Sequence, residues 1–385
     1  MQKAKITRFN GLKLIIPGLF CMFTLAWLCR ALLLGYYPDF NTQYYSAKYA
    51  FSGVNPYSPN VGLYTPQVYP PTEFFFFLPF TLFPIQISAF LYVFMSLIAL
   101  VLSIVILSRT FNIKIFSPVG LSLAGLSFAM FPVKFTLGMG QVNIFILLLM
   151  VLALYFLKSK KDKVSGVMVG IAFIIKLFPV FVPIFFLTKL KSKVLVGFLI
   201  TVIAGILISL LVLPQNINIT FIASFTDLVG SWKLDYYNQS ISGFIGRNFG
   251  ITEVGSIVRM TLGGFLSVFV FLILIRKKSK NFTDLSLIFG ILIALNLILN
   301  TFSWQHHFVL LLIPLYVTFS YLHEHKYRWF LYYFLGLSYF LTSINMSDPS
   351  KYSILYTSHV LYGAIILLGL MLYLLTRQNS LHPKV

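Results

Sequence analysis

The chain has 385 residues, of which 58% are hydrophobic, 17% aromatic and only 10% charged, a balance that excludes an ordinary soluble domain and points to a polytopic membrane protein. Its net charge of +20 does not mark a nucleic-acid binder, because the lysines and arginines sit in short clusters between apolar runs rather than on one soluble face. The partner those charges answer to is the lipid bilayer.

The first apolar run, 12–35, follows Lys3, Lys5, Arg8 and Lys13 and is of spanning length, with no small-residue cleavage site after it, so it reads as a retained helix rather than a signal peptide. It carries the only two cysteines, Cys21 and Cys29, and no disulfide framework or thiolate metal site is indicated. Segment 36–83 is a long loop rich in Tyr, Pro and Phe, which suits an ordered, amphipathic structure lying at the membrane interface. Further apolar runs at 84–108, 117–133, 141–157, 194–213, 255–276, 284–301, 307–322, 327–345 and 353–376 bring the expected total to about ten crossings at roughly 20 residues each. A second long outer loop covers 214–254. The expected architecture is therefore one all-α polytopic membrane domain over 1–385.

Segment 164–188 is different. Its apolar run is interrupted by Lys176-Leu177-Phe178-Pro179 and has lysine clusters on both sides, at 158–163 and 189–193. One full crossing would put one of those clusters outside, against the positive-inside bias, whereas a re-entrant pair of half-helices keeps both inside. With that choice the N-terminal bases and the clusters at 109–114, 276–280, 326–328 and 377–384 also fall inside, and both termini are expected to be cytoplasmic.

The chain owns nine acids: Asp39, Glu73, Asp162, Asp227, Asp235, Glu253, Asp284, Glu324 and Asp348. Asp39, in Tyr36-Tyr37-Pro38-Asp39-Phe40 at the outer mouth of the first helix, heads the short list of candidate bases. Other polar groups on the outer side are Asn55-Pro56-Tyr57, Gly140-Gln141-Val142-Asn143, Asn238-Gln239-Ser240, Arg247 and Ser303-Trp304-Gln305-His306-His307. Lys176, at the tip of the broken hairpin, is expected near mid-membrane depth. Broken helices at that depth line a cavity or are buried in protein, so a polar cavity opening outward is implied.

This order of motifs, an acid after the first span, Gly53-Val54-Asn55-Pro56-Tyr57, Tyr69-Pro70-Pro71, Gly140 to Asn143, Lys176 to Pro179, Asn238-Gln239-Ser240 with Arg247, and Trp304 to His307, resembles glycosyltransferase family 87 over about residues 36–310. The resemblance implies a GT-C-like fold and transfer of a sugar, mannose by the family's commoner activity, from a polyprenyl-phosphate donor to an envelope lipid or glycan on the outer face of the cell membrane. No cofactor is implied.

The residues fit that chemistry by themselves. An inverting transfer needs a carboxylate to take the acceptor proton and cationic or hydrogen-bonding groups to hold the departing phosphate. Asp39 is the expected base, or else an interfacial acid paired with a cation; Glu73 is the rival carboxylate. A lysine in hydrocarbon costs about 2.5–3.5 kcal/mol on insertion scales, so Lys176 should meet an anion such as the donor phosphate, unless it snorkels or bonds carbonyls. Arg247 suits phosphate too, or pairs with Asp235 or Asp227. One of His306 and His307 is expected at the phosphate or sugar while the other packs. Trp304 would stack on a sugar or join the aromatic belt. Gln141 and Asn143 would bond sugar hydroxyls or join helices, and Tyr57, Asn238 and Gln239 are grouped with them on the sugar and acceptor side. No His, Asp or Glu pair has metal-ligand spacing. The competing reading is a transporter or lipid flippase, which also uses broken helices, although its coupling acids typically lie inside spans rather than at their ends.

Overall fold

The computed structural model describes residues 2–58, 61–63, 65–188, 192–230, 234–277, 281–325, 327–346, 349–353 and 355–377. Parts of four basic clusters (189–191, 278–280, 326 and 378–384) and Asp348 lie outside the described residues. Among the described residues the chain is all-α, and its one β-bridge joins Asn238 to Trp304. In chain order the helices are α1 (Gln2–Cys29), α2 (Pro38–Phe51), α3 (Phe74–Phe77), α4 (Ile85–Thr110), α5 (Pro118–Ala129), α6 (Phe131–Met139), α7 (Asn143–Lys158), α8 (Asp162–Lys176) and α9 (Phe181–Thr188). Then come α10 (Ser192–Val212), α11 (Gln215–Gly230), α12 (Ile241–Phe249), α13 (Glu253–Arg276), α14 (Phe282–Leu299), α15 (Leu312–Glu324), α16 (Trp329–Ser343) and α17 (His359–Arg377).

Among the described residues, seven helical segments are long and apolar enough to cross a membrane, and the α5–α6 pair, bent by 51°, makes an eighth. The bend has a local cause: Pro132 supplies no N–H to the preceding turn and its ring would clash with the carbonyl four residues before it, so α5 cannot run on into α6 and Met130 between them is extended. α7 and α16 have only 16 and 15 residues, shorter than a full crossing, because the turn at Gly140 makes α7 start late and the extended Ile344 ends α16 early. That is where the expected ten full crossings and the observed lengths part. The Gln305–Glu324 segment and α14 are the most enclosed, with 83% and 78% of their spanning windows buried, while α1 and α13 lie at the periphery with 11% each.

The broken hairpin is present, and its geometry follows from small residues. Gly166 faces the Val194 carbonyl, Gly170 faces Phe198 and Thr201, Gly205 faces Ile174, and Gly197 faces the Lys163 carbonyl. These pairs advance together along both helices, so α8 and α10 run parallel, packed closely through glycines as membrane helices commonly are. Between them Pro179 breaks the helix and α9 brings the chain back. The starts of α8 and α10, with Lys163 and Lys193, therefore share one end of the bundle. The same end holds Lys158, which donates to the Thr110 carbonyl, and Lys277, which donates to the Leu375 carbonyl at 2.8 Å. α1 and α17 point their chain-terminal ends that way too: α1 runs alongside α5 with Gly18 against Leu121 and Gly125 against Phe20. The opposite end is polar but poor in charge, and it carries α2, α3, α11 and α12. Along α7 and α8, Asn143 and Lys176 stand about 22–24 Å from the basic end at ~1.5 Å per residue, short of the ~30 Å of a hydrocarbon core. The polar cluster is recessed rather than central.

Candidate active site

Asp39 enters the site through the start of α2. Tyr37 caps that helix, Pro38 occupies its first turn with its missing N–H, and Asp39 follows where a carboxylate faces the positive helix end. Across from it, Gly140 takes a left-handed conformation (φ 69°), and a Cβ there would fall 2.6 Å from Phe40 Cβ and 2.9 Å from Tyr37 Cβ. Only glycine meets both demands. The tight approach delivers the next residue: Gln141 Nε2 donates to Asp39 Oδ2 at 2.6 Å.

Gln141 also reaches the cation. Its Oε1 accepts from the Tyr69 hydroxyl at 3.0 Å and from Lys176 Nζ at 3.4 Å. Lys176 further donates to Asn143 Oδ1 at 2.7 Å and meets His307 Nε2 at 2.9 Å, and its ammonium lies 4.8 Å from the centre of the Tyr69 ring. An ammonium has three protons and no lone pair, so the three contacts use its whole donor capacity. Asp39, Gln141, Lys176, Asn143 and His307 thus form one hydrogen-bonded chain drawn from α2, the α6–α7 turn, α8 and the segment before α15.

Two cavities flank this hydrogen-bonded chain. The larger, about 520 Å³, is lined by Lys176, His307, Tyr69, Asn296 and Asn300 and by an apolar wall that includes Phe173, Val180, Phe181 and Leu299. The smaller, about 60 Å³, is lined by Asp39, Gln43, Gln141, Trp304 and His306. Val68, Tyr69 and Phe302 belong to both and form the partition. The adjacent histidines are divided between them: the Gln305–Leu311 turn is a tight 3-10 helix, and it sends His307 to Lys176 and His306 to the Asp39 side, between Phe135 and Trp304. The expectation that one histidine serves while the other packs becomes a separation in which each has its own cavity.

Asp39 and Glu73 differ in what they can do. Burial pushes the Asp39 carboxyl up to about 6, against the Gln141 hydrogen bond and the Lys176 charge, which pull it down. It stands ready to hold or release a proton near neutrality, and its Oδ1 makes no hydrogen bond among the described residues. Glu73 is fully buried, 3.5 Å from Gln67 Nε2, and lines neither cavity. Burial holds its carboxyl well above the usual range despite nearby Lys176, which favours the neutral acid.

Several residues expected at the site are placed elsewhere. Arg247 donates to the carbonyls of Asp235 and Asn238, both at 2.7 Å, and to Ser358 Oγ at 2.7 Å, tying the loop before α12 to the start of α17. Asn238 donates to the Thr301 carbonyl at 3.0 Å, and Gln239 to those of Tyr236 and Thr357 at 2.7 and 2.8 Å. Tyr57 donates to the Tyr69 carbonyl at 2.6 Å, so it supports the partition from behind. None of the four lines either cavity. Irregular backbone leaves carbonyls without partners, and these side chains satisfy them. Sequence reasoning missed Gln43, Phe302 and Asn296 and treated Tyr69 only as part of a turn. Gln43 was within reach, since it lies one turn beyond Asp39 on the same face of α2.

Residues 68–301, more than half of the chain, match the family model of glycosyltransferase family 87. The chain belongs to glycosyltransferase family 87. It is a membrane glycosyltransferase, and the match spans Tyr69, Gln141, Asn143, Lys176 and Asn296. No curated protein matches it closely. The arrangement places a carboxyl group in a small cavity, a lysine in a large amphiphilic one and a single glutamine bonded to both.

Proposed function

We propose that this family 87 enzyme transfers a hexose, mannose foremost, from a polyprenyl-phosphate sugar to a hydroxyl of an envelope lipid or glycan. The transfer inverts the anomeric carbon and takes place at the outer face of the cell membrane, in a GT-C-like fold with both termini cytoplasmic. One observation carries the reading: Gln141 bonds the candidate base with its nitrogen and the buried cation with its oxygen, while base and cation face different cavities.

The donor phosphate lies by Lys176 and His307, with its lipid tail along the apolar wall. The acceptor hydroxyl enters beside Asp39, where Trp304 offers an aromatic face. As the acceptor oxygen bonds the anomeric carbon, the carbon–oxygen bond to phosphate breaks and the polyprenyl phosphate leaves with the electron pair. The acceptor proton goes to Asp39. The lysine charge is pre-positioned for the leaving phosphate, so little reorganisation is needed at the moment of reaction. Outer-face placement rests on charge: the end that gathers Lys158, Lys163, Lys193, Lys277 and Arg377 is opposite the site, as positive-inside orientation would have it.

The decisive experiment incubates membranes carrying the protein with radiolabelled polyprenyl-phosphate mannose and cell-envelope lipids, then separates the products by thin-layer chromatography. Label should move to a lipid or glycan product with wild-type protein. Asp39→Asn should lower transfer by at least ~100-fold at unchanged abundance, within the range lost with a general base. Unimpaired transfer by that variant would remove Asp39 from the role.

A further inference from the structure

Asn296 interrupts the apolar run Ile293-Ala294-Leu295-Asn296-Leu297-Ile298 in α14, whose spanning window is 78% buried. It is 3% exposed and lines the larger cavity, and its amide nitrogen has no hydrogen-bond partner among the described residues. A buried amide donor left unpaired is costly, and a leucine or isoleucine at this position would avoid the cost. A half-turn about its last bond exchanges the amide nitrogen and oxygen, so the N–H pair can take the place the oxygen now holds.

The neighbouring cation makes the unused donor informative. All three protons of Lys176 are directed to Asn143, Gln141 and His307. The lysine supplies charge to the cavity but no spare hydrogen bond. An anionic group entering there needs donors that are not already committed, and Asn296 holds one. The hydrocarbon character of Phe173, Phe181 and Leu299 on the same wall fits the chain attached to that anion.

We propose that Asn296 is a donor-binding residue, its side-chain amide donating to a phosphate oxygen of the lipid-linked sugar in the 520 Å³ cavity beside Lys176. This rests on the lipid-phosphate reading of the large cavity given above. The lysine neutralises the phosphate charge and the asparagine orients the group.

The test uses full-length protein in nanodiscs, with polyprenyl phosphate as the binding probe and polyprenyl-phosphate mannose as the donor. Asn296→Leu should raise the donor KM and the Kd for polyprenyl phosphate at least ~tenfold, with kcat and acceptor KM within about twofold of wild type. Asn296→Ser, which keeps a hydrogen-bonding group, should recover part of the loss. An unchanged donor KM in Asn296→Leu, or an equal rise in both KM values with a lower Tm, overturns the proposal in favour of a packing role. Weaker use of the mannose donor with unchanged affinity for polyprenyl phosphate overturns it too, since the contact would then be to the sugar. If wild-type protein neither binds polyprenyl phosphate nor uses the donor, the functional reading fails and this proposal with it; if wild type does both and Asn296→Leu matches it, the proposal alone fails.

Discussion

Asp39 and Gln141, 102 residues apart in the chain, meet in a hydrogen bond of 2.6 Å. The bond stabilises the carboxylate form, opposing the burial that lifts Asp39 to about 6. A general base works deprotonated, so kcat/KM should climb with pH through about 6 and level off above it. Gln141→Ala removes a contribution that lowers the pKa, and the acid limb should move to higher pH. A pH–rate profile of both proteins checks this; a limb that stays in place, or shifts downward, refutes the assigned role of the bond.

Lys176 gives a second prediction. Lys176→Ala should raise the donor KM far more than the acceptor KM and lower kcat, because in the proposed function its charge would act on the ground-state phosphate and on the leaving group. Asn143 Oδ1 and His307 Nε2 would lose their partner as well, so Lys176→Arg, which keeps charge but not shape, is the companion variant. Steady-state kinetics with each substrate varied separately provides the check, and equal effects on both KM values would count against a phosphate site.

The parallel course of α8 and α10 makes a topological prediction. With Cys21 and Cys29 replaced by serine, Ser159→Cys and Ser192→Cys should both react with a membrane-impermeant maleimide only after permeabilisation, whereas Lys48→Cys should react in intact cells. Opposite accessibility of positions 159 and 192 would mean that the α8–α9 segment crosses once.

Much of this was legible in the chain. Hydropathy marks most of the helices, and lysine clusters flanking 164–188 anticipate a hairpin because a return keeps both clusters on one side, as the positive-inside bias favours. Asp39 stands out among nine acids, and Lys176 among long apolar runs. The loop residues were harder. Arg247, Asn238 and Gln239 have the residue types of a phosphate or sugar site, but their partners are backbone carbonyls of irregular segments, and those carbonyls have no sequence signature. His306 and His307 are neighbours in sequence, and only the pitch of the 3-10 turn tells which way each ring faces. Asn296 was hidden by its surroundings: one amide in an apolar run reads as tolerated noise until a cavity is seen beside it.

The narrow cavity at Asp39 bears on what happens when no acceptor is bound. At about 60 Å³ it has room for a few water molecules beside the carboxylate. Water held there would itself be a hydroxyl nucleophile, so under the proposed function a donor-loaded enzyme should idle by hydrolysis, releasing free sugar and polyprenyl phosphate. Acceptor-free membranes should show that slow leak, Asp39→Asn should abolish it, and saturating acceptor should suppress it by occupying the space. Selectivity for transfer over waste is then a matter of which molecule fills one small volume.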